Sequence, residues 1–225
     1  MNVDIDVVEM FVSVNGEGDE IGRRTAFIRV FGCSANCPDC DTPYAKGNKT
    51  DEVKSIQPQD IIDFVRANKL RHVTITGGEP FEHRSMHDIL GFLIQHGINV
   101  TVETNGMVKP GGLDPRVHVV VSPKPWMLID KNRDSYFYWS TWGATFKFAG
   151  SPADVERIRK WYKIFRLQKA YIQPWIPPEV KSRNSYRKHY LELLDEVNKR
   201  FKDGEDIRIT PQWHKLVYGF SSRGV

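Results

Sequence analysis

The sequence predicts an α/β protein whose parallel sheet, crossed by helices, bends into a partial (β/α) barrel of about six parallel strands. Two observations carry that prediction. Apolar, β-branched runs recur along the 225 residues with helical patterns between several of them, and strand alternating with helix requires parallel pairing through crossovers. The unusual polar residues fall where those runs end, and in such barrels the carboxyl ends of the strands build the active site. No repeat, low-complexity tract or linker interrupts the chain, so residues 1–225 are expected to fold as a single domain around one core.

Taken in order, Thr25 to Phe31, His72 to Thr76, Asn99 to Glu103 and Val117 to Ser122 have the composition of strands. Ala144 to Phe148, Ala170 to Gln173 and Ile207 to Ile209 are shorter candidates. A first helix is expected over Pro58 to Asn68, where Ile61, Ile62 and Val65 share one face and Pro58 suits the first turn. Further helical patterns cover Ser85 to His96, Pro152 to Phe165 and Tyr186 to Phe201. Trp126 to Trp142 shows no clear period and is expected to leave the barrel as an excursion.

Composition narrows the function classes. Hydrophobic content of 40% and charged content of 27% describe an ordinary globular protein. The net charge of +4 is a mild bias. Its densest basic group, near Lys181 to Lys188, is expected to be a solvated helix start, so no direct nucleic-acid partner is expected. No basic stretch followed by an apolar segment opens the chain, and no run approaches the ~18 apolar residues of a membrane span. Neither secretion nor membrane insertion is expected.

The only cysteines, Cys33, Cys37 and Cys40, lie in one short run. Three thiols leave one over for disulfides and fall one short of a closed Cys₄ zinc site. For a four-iron cluster, three ligands would leave one iron open to react. A zinc site closed by a distant histidine ranks below the cluster, and a disulfide with a free thiol lower still. Each polar group follows a strand: the cysteine run after Val30, Gly77-Gly78-Glu79-Pro80 after Ile75, Glu103-Thr104-Asn105-Gly106 after Val102. Ser122-Pro123-Lys124 follows Val121, Gln173-Pro174 follows Ile172, and Thr210-Pro211-Gln212 follows Ile209. An open iron would bind an amino acid's amino and carboxylate groups, and glycines at 77 and 78 would let backbone approach that ligand. Glu79 would accept from its ammonium, Ser122, Asn105 and Gln173 would bond ribose or adenine, and Lys124 would hold an anion.

Cys33-x3-Cys37-x2-Cys40 and Gly77-Gly78-Glu79-Pro80 together resemble the two motifs of the radical S-adenosylmethionine (SAM) superfamily. The resemblance implies a shortened barrel, a [4Fe-4S] cluster on Cys33, Cys37 and Cys40, and reductive cleavage of SAM to a hydrogen-abstracting radical. Asn15-Gly16-Glu17-Gly18, Arg29, Cys40-Asp41-Thr42, Ser122-Pro123-Lys124 and Pro211-Gln212-x-His214-Lys215 further resemble the 7-carboxy-7-deazaguanine synthase family, from about Val14 to Lys215. That resemblance implies ring contraction of 6-carboxy-5,6,7,8-tetrahydropterin with loss of ammonia, a step towards queuosine- and archaeosine-type deazapurines. It also implies Mg²⁺, a homodimer, and a reductant such as flavodoxin or ferredoxin in a reducing cytoplasm.

By the same resemblance, Thr42 would offer its hydroxyl to Mg²⁺. Glu17 would accept from the pterin's guanidine-like edge and Arg29 would meet its carboxylate. Val14, Asn15, Gly16 and Thr76 would complete the pterin pocket, with His214 near it. Asp39, Cys40, Asp41, Gly78, Glu103, Ser122, Pro123, Lys124 and Gln173 would hold SAM. Asn15 departs from the family's commoner Gln, and Pro38-Asp39 stands where an aromatic residue is frequent. Two rival readings remain: a glycyl-radical enzyme activase of the same superfamily, and a zinc-binding interaction module.

Overall fold

The structure, a computed structural model, describes residues 3–38, 40–176, 180 and 182–219. Its strands are β1 (Ile5–Val14), β2 (Arg24–Val30), β3 (Lys54–Ile56), β4 (His72–Gly77), β5 (Asn99–Thr104), β6 (His118–Val121), β7 (Thr145–Gly150), β8 (Lys169–Pro174) and β9 (Asp206–Ile209). The helices are α1 (Pro58–Ala67), α2 (Met86–Gln95), α3 (Arg133–Trp142), α4 (Val155–Ile164), α5 (Arg183–Arg200) and α6 (Trp213–Tyr218). All nine strands join one open sheet in the order β3-β1-β2-β4-β5-β6-β7-β8-β9.

The parallel set runs from β2 through β4 to β9 and numbers seven, one for each strand run read from the sequence. Two further strands were not anticipated. β1 pairs antiparallel with β2 and β3 antiparallel with β1, extending the sheet past its first parallel strand. The register of β1 against β2 shifts between Val7 and Glu9, and such a bulge breaks the period-two pattern by which a strand is read. β3 is three residues long and lies at the edge, too short to show a period.

The helices follow from local chemistry. Pro58 opens α1, where the Gln57 N–H donates to the Asp60 carboxylate at 2.7 Å while the Gln57 side chain accepts from the N–H three residues on. Ser151 caps the next pattern in the same way, its N–H and hydroxyl both donating to Asp154, so that a single 3-10 turn at Pro152–Asp154 leads into α4. α2 buries Ile89, Leu90, Leu93 and Ile94 on one face.

The stretch Trp126 to Trp142 is not the excursion expected of it. It ends in α3, which seats Tyr136 and Trp139 fully buried in the main core and stops at Gly143, in a left-handed conformation at φ 87°. Its sequence RDSYFYWSTW holds few strong helix formers, so neighbouring core residues rather than propensity make it a helix. The connection without a helix lies earlier, between β5 and β6.

The later part of the loop from Asn15 to Arg23 lies against the amino ends of β4, β6 and β7. Asn15 N–H bonds the Arg23 carbonyl at 2.7 Å, and the Gly22 N–H returns to the Asn15 carbonyl at 2.8 Å. From that loop Asp19 reaches His118 (3.1 Å) and accepts from the Thr145 hydroxyl (2.8 Å), while Glu20 lies 3.4 Å from His72. The Asp19 hydrogen bond holds the His118 imidazole above its usual range, against the effect of burial. Burial, helped by the Arg23 and His118 cations, pushes His72 down to about 4. The unfolded chain takes up that proton near pH 6.5, so the His72 contribution to stability is complete above about pH 6.5 and is lost as pH falls towards 4. His72→Gln, which keeps a partner for the Thr101 hydroxyl, is expected to reduce the acid-side loss of unfolding free energy by about 1–3 kcal/mol. Urea titrations at both ends of that window check it. Equal slopes in both proteins would show that His72 contributes nothing.

Candidate functional site

At the opposite end of the strands the loops enclose a cavity of about 310 Å³. Each loop emerges where a parallel strand runs out of pairing partners, and the glycines at β4 explain how two of them meet. Gly77 holds φ 107°, and a Cβ there would lie 2.7 Å from the Val30 backbone. A Cβ on Gly78 would come within 2.0 Å of the Gly32 carbonyl oxygen. Glycine therefore lets the end of β4 bond directly to the root of the cysteine loop: the Gly78 N–H donates to the Val30 carbonyl and the Glu79 N–H to that of Gly32, both at 2.8 Å. The close approach expected towards a ligand is first an approach to the chain itself. Thr42 ties the far end of the loop, donating to the Gly77 carbonyl at 2.9 Å.

Cys33, Cys37 and Cys40 are free and partly exposed, and all three line the cavity. Burial pushes the Cys33 thiol up to about 11 and the Cys37 thiol upward as well, the latter opposed by Lys124. A metal would have to displace those protons. Among the described residues no three His, Cys, Asp or Glu side chains converge as ligands of a single ion. A zinc ion needs its ligands about 2.0–2.3 Å from one centre, whereas a cluster takes each thiolate on a different iron. Three thiols on one loop, beside a glycine-lined wall, fit a cluster of this kind.

Every expected site residue within the described residues lines this cavity except Pro123, whose carbonyl accepts from the Ala149 N–H at 3.2 Å and so extends the sheet. Asp39 lies outside the described residues. Ser122 accepts from Lys124 at 3.1 Å. Gln173 is buried, and its side-chain oxygen has no partner among the described residues. The Asp41 carboxylate instead pairs with Lys215 at 2.8 Å. Arg29 is braced by Glu9 at 2.7 Å over the Phe11 ring, and the Tyr44 hydroxyl donates to the same Glu9. The Asn15 side chain turns back to accept from the Glu17 N–H at 3.0 Å, shaping the loop that carries Glu17. Val14, Gly16, Thr76 and His214 complete that part of the wall.

Glu79, expected to accept from an ammonium, lines the cavity and is also tied into the protein. Its carboxylate is 1% exposed and accepts from the Thr104 hydroxyl, the Phe81 N–H at 3.2 Å and the Asn105 N–H at 2.8 Å. It thereby binds the loop after β4 to the loop after β5. Burial pushes it up to about 7, against those three hydrogen bonds.

The floor of the cavity is an ionic network that the sequence did not reveal. Lys147 of β7 is 2% exposed and donates to Glu17 at 2.7 Å and to Glu103 at 3.0 Å. Gln212 donates to the other Glu17 oxygen at 3.0 Å, with the His214 imidazole 3.7 Å from it. Burial raises the Glu17 carboxyl, but the Lys147 and His214 charges and the two hydrogen bonds more than reverse it, leaving it well below the usual carboxylate range. The lysine lies within an apolar strand run, TFKFAG, where pattern alone marks it as an outward-facing residue.

The sequence model of the Radical SAM superfamily matches residues 27–114, from β2 through the cysteine loop and β5. The chain is 29% identical over 214 residues to the 7-carboxy-7-deazaguanine synthase of Aquifex aeolicus, covering 92% of this chain and 90% of that one. It is also 29% identical over 225 residues to the enzyme of the same description from Pyrobaculum aerophilum, covering 98% and 97% of the two chains. The crystal structure of QueE from Escherichia coli shares the fold, with a TM-score of 0.67 and 22% identity over 93% of this chain and 94% of that one.

Proposed function

We propose that the chain is a radical SAM enzyme, a 7-carboxy-7-deazaguanine synthase that contracts the ring of 6-carboxy-5,6,7,8-tetrahydropterin with loss of ammonia. One observation carries this reading. A single cavity is lined by three cysteine thiols, by an ionised floor carboxylate, Glu17, and by Arg29. The thiols suit a cluster that binds SAM; Glu17 and Arg29 suit a small heterocycle with hydrogen-bond donors on one edge and a carboxylate on the other.

Cys33, Cys37 and Cys40 would hold the [4Fe-4S] cluster, leaving one iron for SAM. Cluster and SAM together supply the one-electron chemistry that begins the ring contraction. Gly78, Glu103, Ser122, Lys124 and Gln173, with the backbone around Cys40 and Asp41, would orient SAM. Glu17 accepts from the guanidine-like edge of the pterin, where its charge makes the hydrogen bonds strong. Arg29 meets the substrate carboxylate from a fixed position, because Glu9 and Phe11 already hold its guanidinium in place. Thr42 and the Gly77 carbonyl offer oxygens to Mg²⁺, a hard ion that would complete its shell with water and substrate. His214 stands beside Glu17 and closes the pterin side. Residues 1–225 act as one domain in this reading, working as a homodimer in a reducing cytoplasm with a flavodoxin- or ferredoxin-type donor. Among the described residues no helix is long and apolar enough to cross a membrane.

A glycyl-radical activase would need to admit a protein loop, so turnover of the pterin without any protein partner separates the two readings. The decisive experiment is anaerobic reconstitution, then incubation with SAM, reductant, Mg²⁺ and the carboxytetrahydropterin, read by mass spectrometry. Formation of 7-carboxy-7-deazaguanine, lost in Cys37→Ala, is the expected result. Production of 5′-deoxyadenosine without any deazapurine would overturn the substrate, and a protein that binds zinc but no iron would overturn the whole reading.

A further inference from the structure

A lysine in the middle of a strand between Phe146 and Phe148, both fully buried, is an expensive residue to keep. Taking an ammonium out of water is costly unless it is paired, and Lys147 is paired twice, with Glu17 at 2.7 Å and Glu103 at 3.0 Å. Stability is a poor reason for such an arrangement, because buried ion pairs can often be replaced by apolar side chains without loss. Position is a better one. Glu17 comes from the loop between β1 and β2, Glu103 from β5, and the ammonium that joins them from β7, so one cation sets the spacing of two carboxylates on separate elements. Gly18 keeps the contact close, since a Cβ there would lie 3.3 Å from the Lys147 stem.

From this geometry we infer that Lys147 is a positioning residue, which keeps Glu17 ionised and aimed at the donor edge of the substrate heterocycle. The inference rests on the pterin reading above. A pterin edge of this kind presents N–H donors only, so its partner must offer acceptors only. An ionised carboxylate has about four lone-pair sites on its two oxygens; Lys147 and Gln212 occupy one on each oxygen and leave the others for the ligand. A protonated Glu17 would turn one acceptor into a donor and repel the edge it should bind. Burial alone would protonate it more readily, and Lys147 is the foremost group opposing that. The other titratable groups facing Glu17 are His214, from α6, and Glu103, across the shared ammonium from β5.

The test uses the cluster-loaded enzyme with SAM bound and measures affinity for the carboxytetrahydropterin by anaerobic calorimetry between about pH 5.5 and 8. Lys147→Met, of similar volume, is expected to bind about tenfold more weakly near neutrality. Relative to the wild type, it should lose up to about a further tenfold per unit as pH falls, the signature of one proton taken up by Glu17. The substrate's own groups are common to both proteins and cancel in that ratio. The double variant E17Q/K147M, which removes one carboxylate together with the ammonium, should bind as E17Q alone does, and this comparison decides the matter if Lys147→Met does not fold. A wild-type pH profile in Lys147→Met, or additive losses in the double variant, would overturn the positioning role and leave the pterin reading intact. Absence of binding by the wild-type enzyme would instead overturn the pterin reading and this inference with it, before any variant is compared.

Discussion

Gly78→Ala is expected to leave a protein that takes up little iron and binds SAM weakly, although it alters no cysteine. The Cβ would lie 2.0 Å from the Gly32 carbonyl oxygen and 2.7 Å from the Gly32 carbonyl carbon. Those are backbone atoms and cannot swing aside as a side-chain tip would. To restore ordinary contact, the end of β4 and the root of the cysteine loop must separate by more than an ångström, breaking the hydrogen bonds that Gly78 and Glu79 make to Val30 and Gly32. Overpacking that side chains can absorb costs about 1–3 kcal/mol; here the strain falls on backbone, and the cysteine loop, as the less constrained partner, is expected to move. Iron content after reconstitution and SAM affinity measure the effect. Full iron loading with wild-type SAM affinity would show that the loop is not held by this contact.

Trp139→Ala is expected to be the most destabilising single change in the helix after β6, at about 3–5 kcal/mol. The indole is fully buried, stacks on Phe81 with ring centres 5.2 Å apart, and meets Tyr138 edge-on. Its N–H donates to the Gly106 carbonyl at 3.1 Å. Phe81 immediately follows the Gly77-Gly78-Glu79-Pro80 segment, and Gly106 follows Asn105, whose N–H is bonded to Glu79. The cavity left by alanine would therefore lie under two of the loops that line the site. Urea unfolding should show the loss directly, and SAM binding should weaken with it. A change below about 1 kcal/mol would mean that α3 is peripheral.

Local chemistry made much of this protein legible. The spacing of Cys33, Cys37 and Cys40 on one short loop needs no tertiary information to suggest a shared centre, and paired glycines after a β-branched strand announce a close backbone approach wherever the sheet leads. The cap at Gln57 and Asp60 and the buried face of α2 are equally local, because a helix periodicity lies within a dozen residues. Readings that depended on one element alone met the structure with least change.

Where several elements meet, the outcome depended on packing. α3 is helical because Tyr136 and Trp139 find a core, not because its sequence favours a helix, and β1 escaped notice because a bulge interrupts its alternation. Pro123 follows a strand end as its neighbours do, yet its carbonyl serves the sheet. Glu79 lines the cavity, yet its carboxylate is already bonded by donors at the end of β5 and just after it. Lys147 is the clearest case. Along the chain it is one charged residue in an apolar strand, 130 positions from Glu17 and 44 from Glu103. The sequence by itself determined the chemistry available at each strand end and the fold class that gathers those ends together. Only the tertiary structure decided which of those groups face the cavity and which face one another, because burial makes a charge costly until a partner from a distant part of the chain is brought beside it.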